Sequence, residues 1–143
     1  MNNINVVAIR MVKERAIRYE SNAITCPEDV HKLLCKVFDA DTLAEENVWA
    51  VLLDTKRHVI SVQCVSRGTI NASLVHPREV FKAAILANAT SIIIAHNHPS
   101  GSLEAGIKDR EVTRKIRQAG QILGIELDDH LIISSEGFTS VEA

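Results

Sequence analysis

The chain alternates between short apolar runs and stretches in which apolar residues recur every three or four positions. The runs have the length of β-strands, and the longer period is typical of helices that bury one face. Residues 4–12 are rich in β-branched side chains and predict a first strand. The apolar segments 48–54 and 58–65 flank a short polar turn and predict an antiparallel hairpin. Three further strands are predicted, over residues 91–95, 125–133 and 138–141.

Three helices are predicted between these strands. The first begins at Thr25-Cys26-Pro27-Glu28, where Pro comes early and Glu follows Thr by three positions. The second spans about residues 77–88 and opens on a proline. The third spans about residues 107–123 and ends at Gly124, because glycine commonly caps a helix C terminus. Since helices alternate with apolar strands, the pattern predicts one α/β layered domain around a mixed sheet.

Composition limits the classes of function. The chain has 143 residues, of which 46% are hydrophobic and 24% charged, as in a single globular domain with its own core. The net charge of −2 provides no overall field toward nucleic acid or an anionic membrane. We expect no secretion signal after Met1, and no apolar stretch is long enough for a membrane span. Three cysteines without a CxxC pair indicate reduced thiols, so the expected location is the cytoplasm.

The loop after the predicted strand 91–95 holds the residues with the clearest chemical meaning. His96 and His98 are two positions apart, and side chains at that spacing in extended backbone project to the same side. Their imidazoles can therefore converge at the C-terminal edge of a sheet, where α/β proteins usually bind ligands. Asp109 falls in the first turn of the next helix and can approach them. Two imidazoles and one carboxylate are typical of catalytic zinc sites, which keep a fourth position for water.

Each of these residues also has a simpler interpretation. Histidines near turns are common on protein surfaces, and a carboxylate in the first turn of a helix is stabilised by the helix dipole without any metal. Their combined placement, between a buried strand and a helix start, favours the metal site. No cysteine lies nearby, as a closed structural zinc site would often require. The prediction is an open zinc site with three protein ligands.

The stretch HNHPSGSLEAGIKD resembles the JAMM signature of JAB/MPN-domain metalloproteases, in which HxH is followed by seven residues, Ser, two residues and Asp. Four segments also resemble, in order, the RadC family of bacterial JAMM-like proteins: LLDTKRHVI, RGTINASLVHPREVFKAAI, AHNHPSG and LDDHLII. The resemblance covers about residues 45–141. It implies a three-layer α/β/α domain with a cytidine-deaminase-like fold and zinc on His96, His98 and Asp109. We expect residues 1–143 to be one such domain, with a strand extension at 1–25.

Longer RadC proteins carry a helix-hairpin-helix region ahead of this domain. We expect none here, so DNA contact by that route is not predicted, and no residue supports the DNA-repair association of the RadC name. Arg110, Arg114 and Arg117 repeat along one side of the predicted third helix, and a nucleic-acid-binding stripe is one interpretation. Because Glu111 interrupts them and no aromatic residue is available to stack on bases, a solvated helix face is preferred.

The resemblance further implies an upstream glutamate that works on the attacking water. Glu45 and Glu46 both lie just before the segment 48–54, and the spacing to Leu53 favours Glu46. The alternative is a solvated acidic pair between a helix and a strand. A carboxylate at this place would accept a proton and pass it to the leaving amine.

The sequence departs from the signature at Gly106, where JAMM proteins have Ser. The resemblance assigns that Ser a hydrogen bond to the oxyanion of the tetrahedral intermediate, and losing such a donor costs about 10²–10³ in kcat. Gly is an acceptable helix N-cap, so fold and zinc are expected to survive while hydrolysis is slow or lost. Ser100 and Ser102, in the same loop, are candidate substitutes. His130 has three interpretations: a structural residue, a partner of a ligand, or an alternative ligand.

Three functions follow from these observations. The leading one is a zinc-dependent hydrolase that cleaves an amide or isopeptide bond in a peptide or protein substrate. The second is a zinc-binding module without turnover that acts through protein or DNA contacts, for which Gly106 is the main argument. The third, a nucleotide deaminase, requires H-x-E followed by PCxxC, and the sequence has neither. No membrane partner is expected.

Overall fold

The computed structural model describes residues 1–68 and 75–142. Part of the second RadC-like segment, residues 69–74, lies outside the described residues. The described part contains three helices and five strands in the order α1 (Pro27–Phe38), β1 (Asn47–Leu53), β2 (Val59–Arg67), α2 (Pro77–Leu86), β3 (Ser91–Asn97), α3 (Ile107–Leu123), β4 (Glu126–Ser134) and β5 (Gly137–Ser140). All three predicted helices and the predicted hairpin are present, with bounds that differ by a few residues.

The five strands form one mixed sheet in the order β2-β1-β3-β4-β5. Only β3 and β4 pair in parallel, and the other three pairs are antiparallel. A parallel pair requires a crossover between its strands, and α3 provides it. The helix begins near the end of the sheet at which β3 terminates, and its C terminus leads back to the start of β4. The two segments predicted to carry metal ligands therefore meet at one edge.

The sheet is covered on both faces. Alternate residues of β1 belong to different cores: Val48 packs with α2 and α3, whereas Trp49 packs with α1. The ring of Phe38 stacks on Trp49 with centroids 5.8 Å apart and joins the end of α1 to the sheet. All seven residues of β1 and of β3 are buried, as is typical of strands covered on two sides. The predicted three-layer α/β/α domain is confirmed.

The longest described helix, α3, lies very close at Gly120 to Ile125, the residue that precedes β4. A Cβ atom at this position would come within 2.3 Å of the backbone oxygen of Ile125, so only glycine allows the contact. The helix ends at Gly124, whose φ of 72° is the left-handed cap that the sequence predicts. Across residues 1–68 and 75–142, none of the helices combines the length and apolar character that a membrane crossing requires.

The predicted strand at residues 4–12 is wrong. Residues 1–18 form neither helix nor strand, and their apolar side chains are exposed, including Val6 and Ile9. A β-branched sequence favours a strand only where a neighbouring strand and a core can receive it. Within the described residues, the extension meets the sheet through a single bridge between Ala23 and His58. Residues 4–12 therefore have a strong preference for strand structure but no neighbouring strand to pair with among residues 1–68 and 75–142.

Candidate metal centre

The two histidines of the HxH segment meet at the C-terminal end of β3. Nε2 of His96 lies 3.0 Å from Nε2 of His98. Asp109, in the first turn of α3, brings Oδ1 to 3.0 Å from Nε2 of His96 and Oδ2 to 3.6 Å from Nε2 of His98. His96 and Asp109 are buried, and His98 is partly open to solvent. The structure brings the three predicted ligands to one point.

The ring nitrogen of His98 that is available to bind a metal is identified by the hydrogen bond that the other ring nitrogen makes. Nδ1 of His98 lies 3.0 Å from the backbone oxygen of Ser102. A carbonyl oxygen can only accept, so Nδ1 carries the hydrogen and donates it. In the neutral ring, Nε2 then has an unshared electron pair directed at the centre. The loop backbone thus selects the tautomer that a metal ligand requires.

The carboxylate of Asp109 is held in its charged form. The backbone N–H of Gly106 donates to Oδ2 at 2.8 Å, in the manner of a helix-capping residue. Burial alone would raise the pKa of Asp109, but its contacts with the His96 and His98 rings and the hydrogen bond from the Gly106 N–H outweigh it and hold that pKa well below its usual range. The Asp109 carboxylate in turn raises the pKa of His98, because it stabilises the protonated ring, in which Nε2 also carries a hydrogen. The centre therefore keeps a negatively charged oxygen at neutral pH.

Glu46 faces the same point from the loop before β1. One carboxylate oxygen and one ring nitrogen each from His96 and His98 lie within 4.8 Å of one another, so these residues form a cluster that can hold a metal ion. Burial raises the pKa of Glu46, and Asp109 adds to this effect while the histidines oppose it. The side chain of Glu45 points elsewhere, because its Oε2 would lie 3.1 Å from a Cβ atom at Gly68. Of the two candidate glutamates, only Glu46 is directed at the histidines.

Asn97, between the two histidines, anchors this loop from the opposite face of β3. Its Oδ1 accepts from the backbone N–H of Asn47 at 2.7 Å, and its Nδ2 donates to the backbone oxygen of Glu45 at 2.7 Å. The backbone oxygen of Glu46 accepts from the N–H of Gly68 at 3.0 Å. Glu46 is therefore fixed between two backbone anchors. Sequence analysis did not identify Asn97, although alternation along β3 places its side chain opposite the histidines.

We expect Asn97→Leu to loosen the loop at Glu46 while leaving the histidines and Asp109 in place. The substitution keeps a side chain of similar size but leaves the Asn47 N–H without its acceptor. The Glu45 oxygen loses one of its two donors and keeps the other, Nδ2 of Asn47. Hydrogen exchange at Asn47 should accelerate on the order of tenfold or more, since such a loss costs about 1–3 kcal/mol. Amides in the middle of β1, such as Ala50, are the internal control. Unchanged exchange at Asn47 would contradict the anchoring role of Asn97.

The centre opens onto a groove on one side. The groove has a volume of about 370 Å³ and is bordered by Glu46, His98, Pro99, Ser100, Ser102, Glu104, Gly106 and Asp109. Ser100 accepts from the backbone N–H of Ser102, and Ser102 accepts from that of Glu104, so both hydroxyl groups serve the loop. The face toward solvent is the one that carries Glu46. A molecule entering the groove would meet this carboxylate and the exposed edge of His98.

The opposite, buried side of the centre is formed by His130 and Thr113. Burial, with a smaller contribution from His96, lowers the pKa of His130 to about 3, so its ring is neutral at pH 7. Nε2 lies 2.8 Å from Nδ1 of His96, and Nδ1 lies 2.6 Å from the hydroxyl of Thr113. Both ring nitrogens are engaged, which makes His130 a partner of His96. Sequence analysis missed Thr113, although it lies one helical turn after Asp109.

Together, the layers and the centre define a class of protein: a single α/β/α domain with a candidate metal centre at one edge of its sheet. The family model described as "RadC-like JAB domain" matches residues 24–143. The chain belongs to this family.

Curated relatives support the assignment. A UPF0758 protein of Symbiobacterium thermophilum is 53% identical over 68% of this chain and 42% of its own length. A UPF0758 protein of Finegoldia magna is 45% identical over 85% of this chain and 54% of its own length. One of Shouchella clausii is 43% identical over 90% of this chain and 55% of its own length. The chain thus spans about half the length of the curated relatives it matches.

Proposed function

We propose that this domain is a zinc-dependent hydrolase that cleaves an amide or isopeptide bond in a peptide or protein. The observation that carries the proposal is the position of Glu46, a carboxylate directed at a His-His-Asp centre from the side that opens to solvent. This is the arrangement in which a bound metal and a general base act on the same water.

The residues of the centre fit zinc. Two ligand atoms that lie about 2.0–2.1 Å from the same tetrahedral zinc ion are about 3.3–3.4 Å apart from each other. Nε2 of His96 and Nε2 of His98 lie 3.0 Å apart, and the two carboxylate oxygens of Asp109 each approach one of these nitrogens, at 3.0 and 3.6 Å, distances close to that separation. Two neutral imidazoles and one carboxylate are ligands that zinc accepts in catalytic sites, where a further position stays open. The groove provides the access that such a position needs.

The chemistry assigned to Glu46 is proton transfer. When bound, zinc lowers the pKa of a water that it holds to about 7 and polarises a substrate carbonyl. Glu46 accepts the proton of the attacking water and then donates it to the leaving amine as the bond breaks. Its partial burial brings its pKa nearer to neutral, which suits a group that must both accept and release a proton. Asn97 and Gly68 hold the backbone on either side of this carboxylate.

The direct test is a hydrolysis assay of zinc-loaded protein on a panel of peptides and isopeptide-linked substrates. We expect cleavage by the zinc-loaded form, loss after chelation, and recovery when zinc is restored. Protein carried through the same steps without chelator is the control. If zinc is bound at one ion per chain and no member of the panel is cleaved, the domain is better described as a zinc-binding module without turnover.

That alternative is supported by one observation, Gly106. A serine here is part of the JAMM signature, and its absence removes a hydroxyl from the edge of the groove. The backbone would accept the serine: φ at Gly106 is −80°, and a Cβ would lie 3.6 Å from Oδ2 of Asp109, an ordinary contact. The fold does not explain the absence of the side chain.

We therefore expect Gly106→Ser to raise the rate of hydrolysis and to leave zinc content unchanged. The added hydroxyl sits beside the Asp109 carboxylate, where it can donate to a developing oxyanion, a contribution of about 10²–10³ in kcat in other hydrolases. Steady-state kinetics and zinc analysis measure the two effects, with Gly106→Ala as the matched control that adds Cβ without the hydroxyl. An active wild type that becomes slower with serine, but not with alanine, would contradict the role assigned to this position.

A further inference from the structure

A buried chain of hydrogen bonds leads from His96 back to the helix that carries Asp109. Nδ1 of His96 lies 2.8 Å from Nε2 of His130, and Nδ1 of His130 lies 2.6 Å from Oγ1 of Thr113. Oγ1 of Thr113 in turn lies 3.0 Å from the backbone oxygen of Asp109. The side chain of Thr113 is fully buried, and His130 is 3% exposed. The chain thus links two proposed ligands on the side away from the groove.

Its last bond sets the direction of all the others. The backbone oxygen of Asp109 can only accept, so Thr113 donates its single hydroxyl proton there, as threonine commonly does toward the carbonyl four residues earlier. The oxygen of Thr113 then accepts from Nδ1–H of His130. Neutral His130 has no hydrogen on Nε2, which accepts from Nδ1–H of His96. Nδ1 of His96 is consequently a donor, and Nε2 is the nitrogen left for a ligand bond.

We propose that Thr113 and His130 are positioning residues that fix His96 in the tautomer and ring orientation that metal binding requires. Ser102 does the same for His98 through a backbone oxygen, so each histidine has its own support. The inference rests on the metal centre of the proposed function. It does not depend on turnover, since it concerns only how the centre is prepared to bind a metal.

The matched pair Thr113→Val and Thr113→Ser tests the proposal. Valine has the shape of threonine but cannot accept from Nδ1–H of His130, which would favour the opposite tautomer of His130. Nε2–H of His130 would then oppose Nδ1–H of His96. We expect zinc affinity, measured by competition with a chromogenic chelator, to fall about 10–100-fold, the usual effect of losing such a partner of a ligand. Serine keeps the hydroxyl and should remain within about threefold of wild type.

A second measurement does not need a variant. Long-range ¹H–¹⁵N spectra of the histidine rings distinguish the two tautomers, and we expect wild-type His130 to carry its hydrogen on Nδ1 both with and without zinc. A hydrogen on Nε2 of His130, or equal zinc affinities of folded valine and serine variants, would overturn the proposal. If wild type binds zinc and shows this tautomer but cleaves nothing, the proposed function fails and this inference stands. If wild type binds no zinc, the proposed centre fails.

Discussion

Replacing either His96 or Asp109 with alanine is expected to abolish zinc binding. Zinc content should fall from about one ion per chain to near zero, and hydrolysis should fall to background. The reason is the small number of proposed ligands: when one of His96, His98 and Asp109 is removed, the two that remain are too few to retain zinc at one ion per chain. His96 and Asp109 are also the most buried of the three, at 3% and 8% exposure. Glu46 faces the same histidines, and zinc retained by Asp109→Ala but not by His96→Ala would indicate that its carboxylate can replace that of Asp109.

Metal analysis after gel filtration measures this effect, and thermal unfolding in a metal-free buffer shows whether each variant folds. His58→Ala is the matched control, because it removes a histidine whose side chain is 42% exposed and lies beside Asp54, away from the centre. We expect it to retain zinc and activity. Wild-type zinc content in both folded His96→Ala and folded Asp109→Ala would show that the metal lies elsewhere, and the proposed function would fall with it.

Much of the candidate centre could be predicted from sequence because its proposed ligands belong to one strand, one loop and one helix turn. Alternation in extended backbone brings His96 and His98 together, and the first turn of the following helix supplies Asp109. His130 and Thr113 were harder to predict. Their contacts depend on the parallel pairing of β3 with β4 and on the rotation of α3 about its own axis. Neither is set by local spacing.

The choice between the two glutamates shows a similar limit. Neighbouring residues before a strand project to opposite sides, so one of them must face away from the histidines. The sequence of β1 cannot say which, because all its residues are buried and no polar alternation marks a face. The strand pairing shows which glutamate faces the histidines: Val48 pairs with His96, and Glu46 precedes Val48 by two positions and approaches the same side.

The strand predicted at residues 4–12 was wrong for a different reason. These residues have a strong preference for strand structure, but the described part of the fold provides no neighbouring strand for them to pair with.

Glu46→Gln is expected to separate hydrolysis from metal binding. Glutamine matches glutamate in size and can still form hydrogen bonds, but it cannot accept the proton of an attacking water. Loss of a general acid–base group typically costs about 10²–10⁴ in rate, so kcat/KM should fall by that factor. Zinc affinity should change little, because the three proposed ligands are untouched.

Glu45→Gln is the matched control, an identical chemical change one residue away. The carboxylate of Glu45 lies toward Gly68, while its backbone oxygen holds Asn97, and the substitution leaves that oxygen unchanged. Its kcat/KM should stay within a few-fold of wild type, since exposed substitutions away from a site have small effects. A large loss with Glu45→Gln and none with Glu46→Gln would reverse the assignment. A loss of zinc with Glu46→Gln would indicate that the Glu46 carboxylate is itself a metal ligand. The proton would then need another acceptor in the groove, and Glu104 is the carboxylate that remains there apart from Asp109.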